Sequence, residues 1–173
     1  MRTWLVLALM FPLAVGAPTT RAEDDTGDRD RGGEMRVVLP PFPRPENYLP
    51  LYVSETTPFA FFIDAKSISV GPDRAVRYSV IAKSNDGGLN VSFEGMRCNE
   101  RQYRIYAIGR SDQSWSEVRD SSWAAIRSDA RNAQRIVLHG DFFCPVTGAI
   151  ATAEEGVKVL KDGGNPRAAI SSY

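Results

Sequence analysis

The sequence predicts an α+β domain: an antiparallel meander sheet of about five strands, with two or three short helices in the C-terminal third. Three observations carry this. Between residues 59 and 110, short apolar or alternating runs are punctuated by turn signals, Gly71-Pro72-Asp73 and Asn85-Asp86-Gly87-Gly88. Beyond residue 120 the apolar spacing lengthens, and Thr152 followed by Glu155 forms a capping-box pattern. The 173 residues, 43% hydrophobic and 24% charged, suffice for one core. The balance of 21 basic and 21 acidic groups argues against wholesale disorder and against a histone-like polyanion binder.

The chain opens with Arg2 and an apolar run from Trp4 to Val15, too short to span a bilayer and of the length of a secretory signal. Cuts after Ala17 or after Ala22 both suit the flanking residues. Pro18 disfavours the first, so residues 1–22 are expected to be the signal peptide. No run reaches membrane-spanning length, so no transmembrane segment is expected after cleavage. Residues 23–34 then hold six acids and two arginines, and 23–36 reads as an acidic, disordered tail. Residues 37–58 carry six of the eleven prolines, which excludes an internal helix and predicts an extended arm. Phe42, Tyr48, Leu49, Leu51 and Tyr52 punctuate it, so the arm should lie against the domain.

A single globular domain is expected over 59–162. Phe59–Asp64 suits a strand with burial on both faces, and Ser67–Gly71 alternates. Ala75–Lys83 places Val76, Tyr78, Val80 and Ala82 on one face. Its hairpin partner, Leu89–Cys98, turns Leu89, Val91 and Phe93 inward against Asn90, Ser92 and Glu94. At Gly95 that alternation breaks. A bulge there would bury Met96 and Cys98 and leave Arg97 outside. Gln102–Arg110 supplies the fifth strand. Ser121-Ser122 ahead of Trp123-Ala124-Ala125-Ile126 predicts one capped helical turn. A short helix over Asn132–Phe143 should bring Cys144 to the sheet, and a second runs from 152 to 161, stopped at Gly163-Gly164. Residues 163–173 are read as a flexible tail.

Export sets the cysteine chemistry. In an oxidising compartment the two cysteines, Cys98 and Cys144, are expected to form a disulfide worth about 4 kcal/mol in the chain-entropy estimate. A reactive thiol is the alternative, and no Cys-x-x-Cys redox pair is present.

The runs VRYSVIAKS (76–84), NVSFEGMRC (90–98), RIYAIGR (104–110) and DFFCP (141–145), with Trp115 and Trp123, resemble the cryptic neisserial protein-like family. These are small exported proteins of Gram-negative bacteria containing a domain of unknown function. The resemblance covers roughly residues 50–162. It implies a periplasmic location and one domain, and it carries over no catalytic residues.

Chemistry-bearing patterns are sparse. His139 is the sole histidine, and no serine lies in a nucleophile motif. Neither Gly87-Gly88 nor Gly163-Gly164 opens a phosphate loop, and Asp28 and Asp30 lack the remainder of a calcium loop. No cofactor, metal or nucleic-acid partner is expected. Glu94 is the one carboxylate placed on a sheet face, with Arg77, Arg97 and Arg104 expected alongside. A lone acid among arginines suits an ion pair or ligand-orienting site better than acid–base chemistry. Residues 97–135 interleave eight arginines and five acids with Tyr103, Tyr106, Trp115 and Trp123. Such a face suits an envelope partner or anionic ligand. The leading expectation is therefore a non-catalytic periplasmic binding or envelope-interaction domain. A small cofactor-free hydrolase using sheet-face carboxylates is the alternative.

Overall fold

The structure, a computed structural model, describes residues 29–30, 34–146 and 148–168. The expected signal peptide lies outside the described residues, as does the acidic segment as far as residue 28. Next come β1 (Arg29–Asp30) and β2 (Glu34–Met35), which pair as a two-residue antiparallel ladder. Among the described residues no helix is long and apolar enough to cross a membrane.

The main sheet has eight antiparallel strands: β3 (Tyr48–Leu51), β4 (Phe59–Asp64), β5 (Ser69–Val70), β6 (Val76–Ser84), β7 (Leu89–Arg97), β8 (Gln102–Gly109), β9 (Trp115–Glu117) and β10 (Ala124–Ala125). Their order is β10-β8-β7-β6-β4-β3, with β5 also on β6 and β9 also on β8. Strands β4 to β8 are the five expected from sequence. The other three are short pieces at the sheet margins. β3 carries Pro50, whose missing amide is tolerated at an edge. β10 replaces the helical turn expected after Ser121-Ser122. Ala124 pairs with Tyr103, and the Ile126 amide donates to the Arg101 carbonyl at 2.9 Å. The open edge of β8 supplies those bonds, which outweigh a one-turn helix.

The C-terminal helices form as the sequence indicates. Asp129 caps a turn over Ala130–Asn132 by accepting from the amides of Arg131 and Asn132. That turn runs into α1 (Ala133–Val137) and a π-helical turn, Leu138–Phe143. α2 spans Ala153–Lys161; Thr152 Oγ1 accepts from the Glu155 amide at 3.2 Å. Beyond it, Gly164 donates to Val159 and Gly163 to Leu160, a Schellman closure. In the segment read as a tail, Asn165 is buried, and its amide and Nδ2 donate to the carbonyls of Asp141 and Phe142. Residues 169–173 lie outside the described residues.

Both faces of the sheet are covered. The helices pack on one, where Leu51, Ile63, Val76, Tyr78, Val80 and Met96 meet Leu138, Phe142, Phe143, Val159 and Leu160. The proline-rich arm crosses the other, where Val37 and Leu39 pack with Trp115 on Phe93, Tyr106 and Ala107. Trp115 Nε1 donates to the Pro40 carbonyl at 2.8 Å, and Phe42 packs on Trp115 with ring centroids 5.1 Å apart and planes tilted by 47°. Cys98, just past β7, and Cys144, just past the π-turn, form a disulfide with Cα atoms 5.2 Å apart.

Contrary to the expectation from sequence, no bulge lies at Gly95. β6 and β7 pair without a break from Lys83↔Leu89 to Val76↔Met96, with Arg77 opposite Gly95. The irregularity lies on the far side of β7. Phe93 pairs with Ala107 and Glu94 with Ile105, so Tyr106 is the extra residue, on β8. The sequence alternation breaks for another reason: Ser92 and Glu94 face the helices, not solvent. Met96 is buried as expected, whereas Arg97 and Cys98 are both half-buried.

Candidate functional site

Three of the four residues singled out in the sequence come together on the arm-covered face, away from the helices. Arg77, Gly95 and Arg104 form one row across β6, β7 and β8. Lacking a side chain, Gly95 makes room for the Tyr106 ring; a Cβ there would lie 2.5 Å from Tyr106 Oη. That ring sits between the two arginines, with guanidinium carbons 5.8 Å (Arg77) and 5.4 Å (Arg104) from its centroid. Trp123 meets Tyr106 edge-on at 6.4 Å, and Arg97 lies 4.2 Å above the Trp123 ring. The result is an interleaved patch of three arginines and two aromatics.

Arg77 is pinned by Asp73, which it grips with two hydrogen bonds of 2.6 and 3.1 Å. Burial alone would raise the Asp73 pKa, but the Arg77 bonds and charge, with Arg97 farther out, hold it below the usual carboxylate range. Beside this pair opens a pocket of about 380 Å³ lined by Asp73, Arg74, Arg97, Asn99 and Glu100 among others. Its wall is mostly polar, so it suits a hydrated, charged ligand. Arg97 belongs both to the pocket and to the Trp123 stack, which makes pocket and patch continuous.

Glu94, the fourth residue, is not part of this patch. It points to the helical face and is 1% exposed. Arg135 of α1 closes on it with Nε to Oε2 at 2.7 Å and Nη2 to Oε1 at 2.6 Å. Ser92 Oγ donates to Oε1 at 2.8 Å, with Tyr78 Oη 3.5 Å from Oε2. Arg135 also lies 3.9 Å over the Tyr103 ring and donates to Asn132 Oδ1. Burial would lower the Arg135 pKa, but its bonds to Glu94 outweigh that and raise it. Burial above all, then the Glu94 charge, pushes the Tyr78 phenol well above its usual value. So enclosed a carboxylate serves the packing of helix on sheet and has no opening toward a substrate.

Arg135 was not among the residues expected at the site. Its signal was nonetheless in the sequence: Arg135, Leu138 and Phe142 share one helical stripe, and a cation on an apolar stripe needs a buried acid. His139 is half-buried; its Nε2 lies 3.1 Å from the Cys98 carbonyl oxygen, and burial lowers its pKa. Among the described residues no three His, Cys, Asp or Glu side chains converge as metal ligands.

The model of the CNP1-like family, a family of unknown function, matches residues 29–161, and the chain belongs to that family. The matched span contains every strand and helix of the described residues, and the arginine–aromatic patch. No curated protein and no solved structure shows a significant match.

Proposed function

We propose that this CNP1-like protein is a non-catalytic, exported binding module of the periplasm that takes an anionic ligand on its arginine–aromatic face. The observation that carries the reading is the convergence of Arg77, Arg97 and Arg104, from three adjacent strands, around Tyr106 and Trp123. Guanidinium groups match phosphate and carboxylate oxygens in planar, two-pronged contacts, and stacking on aromatic rings preorganises them. The signal-like start of the chain and the Cys98–Cys144 bond support export.

The test uses soluble polyphosphate and phosphatidylglycerol vesicles as separate probes, distinguishing a free phosphate polymer from a lipid headgroup. Arg97→Ala and Arg104→Ala should each weaken binding about tenfold, the loss expected for one charge-assisted contact. The effect should shrink as salt is raised. Unchanged binding by the Arg97→Ala/Arg104→Ala double variant, folded as shown by its circular dichroism, would refute this assignment of the face.

A further inference from the structure

The pocket beside the Asp73–Arg77 pair is walled by two turns at one end of the sheet and by a loop that the disulfide ties to them. Residues 71–75 join β5 to β6, residues 98–101 join β7 to β8, and Ala149 follows Cys144. Arg74 and Arg101 hold left-handed backbone in the two turns, at φ 58° and 50°. Side chains other than glycine adopt that conformation only where the surroundings fix it, so the turns are set in advance. Arg74 Nη2 reaches over Gly148, 3.5 Å from where a Cβ there would stand, and Asn99 Oδ1 is 3.9 Å from the same point.

The charges in the pocket do not cancel. The Asp73 carboxylate is taken by two hydrogen bonds from Arg77. That leaves two cations, Arg74 and Arg97, against one carboxylate, Glu100. Arg97 is steadied by the Trp123 ring, and neither Arg74 nor Glu100 has a side-chain hydrogen bond or ion pair among the described residues. A bare phosphate would meet both arginines but also Glu100, which repels it. A phosphate monoester, with close to two negative charges at neutral pH, and one attached ammonium mirror the pocket charge for charge. Beyond Ala149 and the disulfide the lining is polar, so the spacer between the two charges is short and no acyl chain enters.

We infer that this pocket takes a phosphate ester bearing a nearby ammonium group, the chemistry of phosphoethanolamine, with Arg74 and Arg97 on the phosphate and Glu100 on the ammonium. The inference rests on the anion-binding reading and names the ligand class for that site. Glu100 supplies the selectivity, because it disfavours a bare anion and attracts the ligand's cation.

The full chain is titrated by calorimetry at low salt with phosphoethanolamine and with ethyl phosphate, the same skeleton without the amino group. Phosphoethanolamine should bind about tenfold more tightly, the worth of one hydrogen bond between charged groups. In Glu100→Gln, its fold checked by circular dichroism, that preference should vanish while ethyl phosphate binds no more weakly than before. Arg74→Gln should weaken both esters alike. Phosphatidylcholine vesicles with and without phosphatidylethanolamine distinguish the sources: binding that needs phosphatidylethanolamine assigns a lipid headgroup, and binding of the free ester alone assigns a soluble one. Equal affinity of the wild-type chain for the two esters, or a preference that survives Glu100→Gln, would overturn the inference. So would binding of neither ester and neither vesicle while polyphosphate is still held, which leaves the anion-binding reading standing. Loss of polyphosphate binding as well would refute that reading too.

Discussion

The two faces of this sheet bury side chains by different means. On the helical face, the charged pair Glu94–Arg135 is sealed between β7 and α1, each group saturated by the other and by Ser92, Asn132 and the Tyr103 ring. On the arm face, the covering element has few backbone donors because of its prolines, and it is held by Trp115, Phe42 and a small apolar cluster. Of the charges there, Arg77 is buried and paired with Asp73, whereas Arg97 and Arg104 are half-buried and lie against aromatic rings. Burial with a full set of partners makes a charge structural. Partial burial against a ring orients the guanidinium without sealing it from solvent.

The comparison breaks most sharply at Arg135. Arg135→Met leaves the Glu94 carboxylate buried without its cation and should cost about 3–5 kcal/mol in urea unfolding. Adding Glu94→Gln should recover a large part of that loss, because the buried charge is removed. Arg97→Ala, on the other face, should cost only about 1 kcal/mol, the scale of a cation–π contact near solvent. Equal costs for Arg135→Met and Arg97→Ala would erase the distinction between the faces.

The disulfide sharpens it next. Cys98–Cys144 and Glu94–Arg135 both tie β7 to the segment 133–144, so the helical face is fastened twice. Cys98→Ala and Cys144→Ala should each cost about 2–4 kcal/mol, with the double variant costing little more than either. Amide exchange should rise over 133–144 before it rises over the arm. Uniform loosening of both faces, or additive costs, would show that the bond does not act on this junction.

How much of this was legible in the sequence follows the same division. Alternation and turn residues located β4 to β8, and the capping pair Thr152 and Glu155 located α2, because those signals are local. β9 and β10 are two or three residues long and exist through pairing with β8, so no local pattern marks them. The site was half legible. Arg77, Arg97 and Arg104 read from strand alternation as neighbours on one sheet face, and the strand pairing brings them together there. Glu94 reads as belonging to that face because a charged residue at an alternating position reads as solvent-facing. Its true partner is 41 residues away on a helix, and alternation carries no information about that. The broken alternation likewise points to Gly95, whereas the extra residue is Tyr106, since a bulge belongs to a pair of strands and its effect on alternation need not mark the strand that holds it.

Gly95 supplies the smallest and most discriminating effect. In an ordinary strand position, glycine to alanine stabilises by roughly 0.5–1 kcal/mol, because glycine loses more backbone freedom on folding. Here the added Cβ would fall 2.5 Å from Tyr106 Oη and 2.8 Å from its Cε2. The ring is braced by Phe93 at 5.7 Å and by Trp123 at 6.4 Å, so it cannot swing aside without disturbing both. Gly95→Ala should therefore destabilise, by about 1–3 kcal/mol, as overpacking does. The sign alone tests the arrangement of the arm face. Shortening the ring by Tyr106→Leu should abolish the penalty, so the two substitutions should be strongly non-additive. Stabilisation by Gly95→Ala in the wild-type background would mean that Tyr106 does not rest on Gly95. The row linking Arg77 to Arg104 would then lack the ring that holds its guanidinium groups in place.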